Sequence, residues 1–390
     1  MVLTTLIVWT EKLNLIRISP VKKRIVIIVV KYGLGLGLLA WVVWQYWTIS
    51  TPQGEDVGIG ATLDNIINGK RQIHWLPFLT AALFCLTSML LTFLRWFILV
   101  RAQDLPFTIP NAVRLGLIGY YLNIFLPGAV GGDIIKAAFI AREQKRRTVA
   151  VSTVVLDRVV GLCGLVWLCA IMGILFWLSG SLMGIEALGR HALEFIILGA
   201  TVIMVGSLVF WFLLGFLSSE RAESLAARLA RIPKAGHSLA EFWRSVWIYR
   251  CRGRAIAMAL GISLISHTGL VFAFYFAAQT LTPVTDLPPL VTHFLIVPVG
   301  MTIRAGIPTP GGIGGGEVAF GTLYQLLGYS AAAGILALLV QRVVEWSLGL
   351  VGYLVFLRMK PALREAEAAS APELAPDAYS FSEKNLSANS

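Results

Sequence analysis

The sequence predicts an all-α polytopic membrane protein: about six full spans plus two oppositely oriented re-entrant hairpins, arranged as an inverted repeat. Three observations predict this. The 390 residues are 57% hydrophobic, with mean hydropathy +0.77, more apolar surface than a soluble chain of this size can hide behind a charged exterior. Lysine and arginine are distributed very unevenly among the connections between apolar runs. A glycine-rich motif also occurs twice. Pro127-Gly-Ala-Val-Gly-Gly-Asp133 is followed by Arg158, and Pro310-Gly-Gly-Ile-Gly-Gly-Gly-Glu317 by Arg342. In each copy the acid precedes the arginine by 25 residues, and each arginine opens an Arg-Val-Val tripeptide.

Taken in order, residues 1–24 form a basic start with Lys12, Arg17, Lys22, Lys23 and Arg24; Leu6, Leu13, Ile16 and Ile18 give it a partly amphipathic, membrane-surface character. Ile25 to Trp47 is the first span, its end marked by Trp41, Trp44, Tyr46 and Trp47 as an interfacial belt. The run starts too late and is too long for the apolar part of a cleavable signal peptide. A polar loop over 48–75 leads to the second span, Leu76 to Val100. Residues 111–140 are apolar but broken by Pro127, Gly128, Gly131 and Gly132; then come a basic cluster over 142–147 and spans at Val149 to Leu178 and Ala192 to Leu217. The soluble loop 218–254 is strongly basic, and Leu225, Leu229, Leu239, Phe242 and Val246 recur at roughly helical spacing. Ala255 to Thr280 is a span, 287–327 is broken again by Pro298, Pro308, Pro310 and a glycine run, and Ala331 to Leu357 is the last span. The tail, 358–390, is rich in Ala, Glu, Ser and Pro and is expected to be disordered. The spanning domain is therefore 25–357.

Charge sets the orientation. With both termini, Arg101, 142–147 and 218–254 placed in the cytoplasm, the inside carries 22 Lys and Arg against 3 in the outer loops. The net charge of +11 reads as this bias rather than as a nucleic-acid footprint, for which no motif is present. Under this orientation 111–140 enters and leaves from the cytoplasm, and 287–327 from the outer face. Irregular backbone at membrane depth needs shelter by protein or a water-filled cavity. Two hairpins meeting near the midplane would enclose such a cavity. The repeat units are then about 76–178 and 255–357, the inverted logic of secondary transporters.

The glycines either permit sharp turns or allow close approach of helices or ligand. Helix N-termini after such turns, around Gly131, Gly132, Gly314 and Gly315, suit an anionic group such as phosphate. Pro127, Gly128, Pro308, Pro310 and Gly311 form the hairpins themselves. Buried charge is the stronger signal: Asp133, Lys136, Asp157, Arg158, Arg304, Glu317, Arg342 and Glu345 all fall in or beside apolar segments, where each costs several kcal/mol, roughly 2.5–3.5 on insertion scales, unless paired or wetted. Two accounts stay open. Arg158, Arg342 and Arg304 hold a ligand anion with Asp133, Glu317 and Asn123 in support, or the acid–arginine pairs hold only each other. Arg342 and Glu345 are also spaced to pair locally at i,i+3, and Lys136 is placed to snorkel toward the cytoplasmic interface. Four cysteines (Cys85, Cys163, Cys169, Cys251) and five histidines show no metal-ligand spacing, and the glycine run lacks the Lys-Ser/Thr of a nucleotide loop. Neither metal nor cofactor is expected.

At these residues the chain resembles a family. Asn123-Ile-Phe-Leu-Pro127 with Gly132-Asp133, Asp157-Arg158, Pro308-Thr-Pro310-Gly-Gly-Ile-Gly, Glu317 and Arg342 are similar to the lysylphosphatidylglycerol synthase transmembrane (flippase-like) family, over roughly Leu76 to Leu357. Asp133 stands where many members carry Glu. The resemblance implies a bacterial inner-membrane protein that moves a lipid between leaflets, with the hairpins forming a headgroup cavity. The partner expected is a membrane lipid, anionic or of polyprenyl-phosphate type. Family members with synthase activity carry a soluble aminoacyl-tRNA-dependent transferase domain; with only about 33 residues after Leu357 that activity is not expected here. A second reading makes the chain a non-catalytic subunit whose 218–254 loop recruits a cytoplasmic lipid-modifying synthase or glycosyltransferase.

Overall fold

The structure, a computed structural model, describes residues 20–48, 58–69, 72–125, 131–180, 183, 187–232 and 236–370. The start of the chain through residue 19, the hairpin residues Pro127 and Gly128, and the tail beyond Ser370 lie outside the described residues.

The described residues are all-α. They form thirteen helices: α1 (Pro20–Gln45), α2 (Ile59–Ile67), α3 (Trp75–Arg101), α4 (Ile109–Phe125), α5 (Gly131–Glu143), α6 (Arg147–Leu178), α7 (Ala187–Phe216), α8 (Ser219–Ala230), α9 (Gly236–Cys251), α10 (Gly253–Leu281), α11 (Leu290–Gly306), α12 (Gly315–Leu326) and α13 (Ala331–Ser370). Five are long and apolar enough to cross a membrane: α3, α6, α7, α10 and α13. Two shorter apolar stretches, Tyr32–Gln45 and Leu290–Gly306, accompany them. The sixth expected span, Ile25 to Trp47, corresponds to α1, within which Tyr32–Gln45 is an apolar stretch.

Several local features follow directly from sequence. Ser218 caps α8 by accepting from the Arg221 N–H. Pro298 interrupts the hydrogen-bond ladder of α11, where the Thr302 hydroxyl donates to the Pro298 carbonyl at 2.7 Å. Between α11 and α12 the chain turns through Gly311, Gly312 and Gly314 at φ of +56°, +66° and +82°, a region side chains rarely enter. The basic loop forms an antiparallel helix pair, α8 and α9, joined across their faces by the Trp243 indole donating to the Ala222 carbonyl. Two outcomes depart from the sequence reading. The polar 48–75 connection contains a short helix, α2, whose Ile59 packs with Ala332 and Ile335 of α13. And α13 continues past Arg358 to Ser370, because this stretch is dominated by Ala, Leu, Arg and Glu, the strongest helix formers.

The centre of the bundle is the crossing of α3 and α10. Small residues line it: Ala81, Cys85 and Ser88 on α3 against Ala277, Ala273 and Ser266 on α10. The Ser266 hydroxyl donates to the Ser88 carbonyl at 2.9 Å, and a Cβ on Gly269 would come within 2.6 Å of the Ser88 hydroxyl. Membrane helices associate through such close packing, since lipid tails compete with larger apolar side chains. Around this seam the other contacts come in matched pairs. α4 packs on α13 as α11 packs on α6; α3 touches α6 and α13 as α10 touches α13 and α6; and α4–α5–α6 pack in sequence as α11–α12–α13 do. The apolar core sits on one side, where Phe320 stacks on Phe274 with ring centroids 4.3 Å apart. α1 lies over the α11–α12 turn, Gly35 facing Thr309, and its Tyr32 hydroxyl donates to the Phe125 carbonyl. α7 is peripheral: Phe195, Val202, Phe210 and Phe212 are exposed, as expected of a lipid-facing helix.

Candidate functional site

Two clusters of charge lie inside the bundle. Each begins the same way. α5 opens Gly131-Gly132-Asp133 and α12 opens Gly315-Gly316-Glu317, so each acid is the third residue of its helix, where the helix dipole favours negative charge. Each arginine sits eleven residues into the next long helix, Arg158 after Arg147 and Arg342 after Ala331. At ~1.5 Å per residue that is about 16 Å along the axis, near half of a ~30 Å hydrocarbon core.

The second cluster is closed. The Glu317 carboxylate accepts from Arg342 Nε at 2.5 Å and from the Gly314 N–H at 2.7 Å. The rest of the Arg342 guanidinium donates to the Gly311 and Gly312 carbonyls at 2.9 and 3.0 Å. Arg342 and Glu317 side chains are 3% and 0% exposed. Arg304 donates from Nε to the same Gly311 carbonyl at 3.0 Å and grips Glu345 through both terminal nitrogens, at 3.0 and 2.6 Å. Glu345 therefore pairs with Arg304 from another helix, not locally with Arg342, and Gln341 donates to it at 3.2 Å. Pro310 is buried within this turn, while Pro308 is exposed.

The first cluster is larger and more open. Arg158 donates from Nε to the Asp133 carboxylate; the arginine side chain is 44% exposed. The Asn123 side-chain oxygen accepts from the Gly132 N–H at 2.9 Å, filling at α5 the capping task that Glu317 performs for Gly314. Lys136 does not snorkel. It is buried, 3.7 Å above the Trp96 ring and 3.6 Å from the Asp157 carboxylate. The reason is one of position: Trp96 and Asp157 lie beside it in the bundle and supply a π face and a counter-charge. Asp157 also accepts from Arg95 Nε at 2.8 Å, and Arg95 reaches the Ser263 hydroxyl of α10 at 3.0 Å. The sequence reading passed over Arg95; the signal was an arginine inside the Leu76–Val100 apolar run.

The family comparison covers the segment that holds both clusters. A family model described as "Lysylphosphatidylglycerol synthase TM region" matches residues 28–352. The chain belongs to this family. No curated protein and no solved structure matches it. In this lysylphosphatidylglycerol synthase TM-region protein the match takes in both charge clusters and both glycine-rich sequence motifs. The structure brings Asp133 to Arg158, Glu317 to Arg342, Asn123 to Gly132, and Arg304 to the Gly311 turn. Among the described residues there is no group of three or more His, Cys, Asp or Glu placed to hold a metal ion.

Proposed function

We propose that the protein is a bacterial inner-membrane lipid translocase, with cytoplasmic termini, for an amphiphile bearing an anionic, phosphate-containing headgroup. The observation that carries this reading is a surplus of buried positive charge. In the first cluster, among the described residues, two buried cations, Arg95 and Lys136, share one carboxylate, Asp157. In the second cluster Arg304 and Arg342 face Glu317 and Glu345 and the count is even. A surplus cation at membrane depth costs several kcal/mol unless an anion or water offsets it, and a headgroup phosphate entering beside half-exposed Arg158 supplies that anion. The inverted repeat is supported by the matched helix contacts and the equal depth of the two arginines from opposite helix pairs. On this reading α4–α5 and α11–α12 are re-entrant hairpins from opposite faces, and the Glu317–Arg342 pair anchors one of them while Asp133, Arg158 and Lys136 meet the substrate. There is no catalytic step; the work is electrostatic compensation of a charge crossing hydrocarbon.

The test is leaflet exchange in proteoliposomes with labelled phosphatidylglycerol and labelled phosphatidylcholine. Wild type exchanges the anionic lipid faster, and Arg158→Ala and Lys136→Met each slow it by about tenfold, the loss of one charge-assisted contact. Exchange at the wild-type rate in both variants, or no preference for the anionic lipid, overturns the reading.

A further inference from the structure

A separate cavity lies at the other end of α6, away from the intramembrane clusters. It holds about 390 Å³ between the α5–α6 connection and the first half of α9, within the range of small-ligand sites. Lys145, Arg146, Arg147, His237, Glu241 and Arg244 face it. Two of these are already engaged with carboxylates. Arg244 is paired with Glu223 of α8, whose carboxyl it holds below its ordinary range by hydrogen bonding, and His237 lies 3.4 Å from Glu241. Lys145, Arg146 and Arg147 are exposed, and among the described residues no carboxylate pairs with any of them; Arg146 reaches only the Gln103 carbonyl, at 3.4 Å. Three adjacent cations thus line one wall with no carboxylate in ion-pair contact among the described residues, Glu241 being the one acid that also lines the cavity. The first turn of α6 opens at the same wall, with Arg146 at its N-cap position and no side chain capping its N–H groups. Because α6 is one of the long apolar helices, its first residues mark the boundary between hydrocarbon and water, the level of lipid headgroups.

We infer that this cavity is a phosphate-binding site at the membrane surface, taking a phosphate monoester or diphosphate through Lys145, Arg146 and Arg147. The alternative of diffuse surface charge fits less well, because the cations converge on one concave space rather than spreading over a face, and because Arg147 sits where helix N–H groups add their own donors. The inference does not depend on lipid translocation. The phosphate is carried either by a lipid headgroup in the adjoining leaflet or by a soluble molecule, and the chemistry recognised is the same.

The full chain is placed in nanodiscs of phosphatidylcholine alone and titrated with inorganic pyrophosphate by calorimetry; in a second arm, phosphatidic acid is doped into the disc and bound lipid is counted by native mass spectrometry. Saturable binding in the first arm assigns a soluble phosphate, and retention in the second alone assigns a lipid headgroup; either supports the site. Lys145→Ala with Arg147→Ala weakens binding by on the order of a hundredfold, two charge-assisted contacts being lost. Arg228→Ala with Arg231→Ala, which removes the same charge from exposed positions on and just after α8, changes it by less than about threefold, within ordinary surface screening. Equal weakening in the two double variants overturns the inference, as does wild-type protein that binds neither probe.

Discussion

Removing Arg342 and removing Arg158 have very different consequences, although the two arginines occupy equivalent places in the sequence. Arg342→Ala leaves the Glu317 carboxylate fully buried beside two glycine carbonyls. Breaking a buried ion pair from one side costs about 3–5 kcal/mol. The Gly312 carbonyl also loses the guanidinium, which adds about 1–3 kcal/mol, whereas the Gly311 carbonyl keeps Arg304. The expected loss is about 4–8 kcal/mol, enough to consume most of a typical folding free energy. Arg158→Ala removes a partner that is nearly half exposed; discounted for solvent, its loss is on the order of 1 kcal/mol. Thermal unfolding of the detergent-purified variants, followed by intrinsic tryptophan fluorescence, separates the two. Arg342→Ala is expected to unfold far below wild type, and Arg158→Ala within a few degrees of it. Adding Glu317→Gln to Arg342→Ala removes the stranded charge and recovers part of the loss. Equal destabilisation by Arg342→Ala and Arg158→Ala, or a double variant less stable than Arg342→Ala, refutes the closed-cluster account.

Gly132→Ala places a methyl group against the Gly119 carbonyl and within 2.8 Å of the Asn123 backbone nitrogen, so the protein is expected to lose its folded yield, measured by size-exclusion after extraction; Gly261→Ala, whose added methyl meets open space, should extract normally. Asn123→Ala orphans the Gly132 N–H and costs about 1–3 kcal/mol, read as a fall in Tm, with Asn123→Asp recovering most of it. Cys251 is exposed at the end of α9. A membrane-impermeant maleimide should label it in inside-out vesicles and not in intact spheroplasts, and the reverse pattern overturns the orientation.

Much of this was legible because charge inside an apolar run is a loud signal. The acid-to-arginine spacing marked both pairs, since the acid begins one helix and the arginine lies at fixed depth in the next. The breaks around Pro310 and Gly311 were legible for the same reason, as no ordinary helix contains them. What stayed hidden were contacts set by three-dimensional neighbours. Glu345 is three residues from Arg342, yet its partner is Arg304, because Arg342 spends its donors on the turn carbonyls and on Glu317. Lys136 has the long stem that snorkelling needs, but no periodicity in its own helix reveals the Trp96 face beside it. Arg95 was missed because it sits near the end of its apolar run, where an arginine ordinarily marks the interface. Helix α2 was hidden by its shortness and polar setting.

The seam between α3 and α10 has a consequence for how the protein tolerates change. α3 and α10 each pack on α6 and on α13 beside it, and Arg95 crosses it to reach Ser263. Elsewhere a bulky substitution disturbs one neighbourhood. At Ser88, Ser266 or Gly269 the added volume acts as a wedge driven between two backbones, and it spreads the helices packed on either side of them at once. One methyl group there alters the separation of the two charge clusters from each other, so under the proposed translocase reading positions remote from any headgroup set the width of its path.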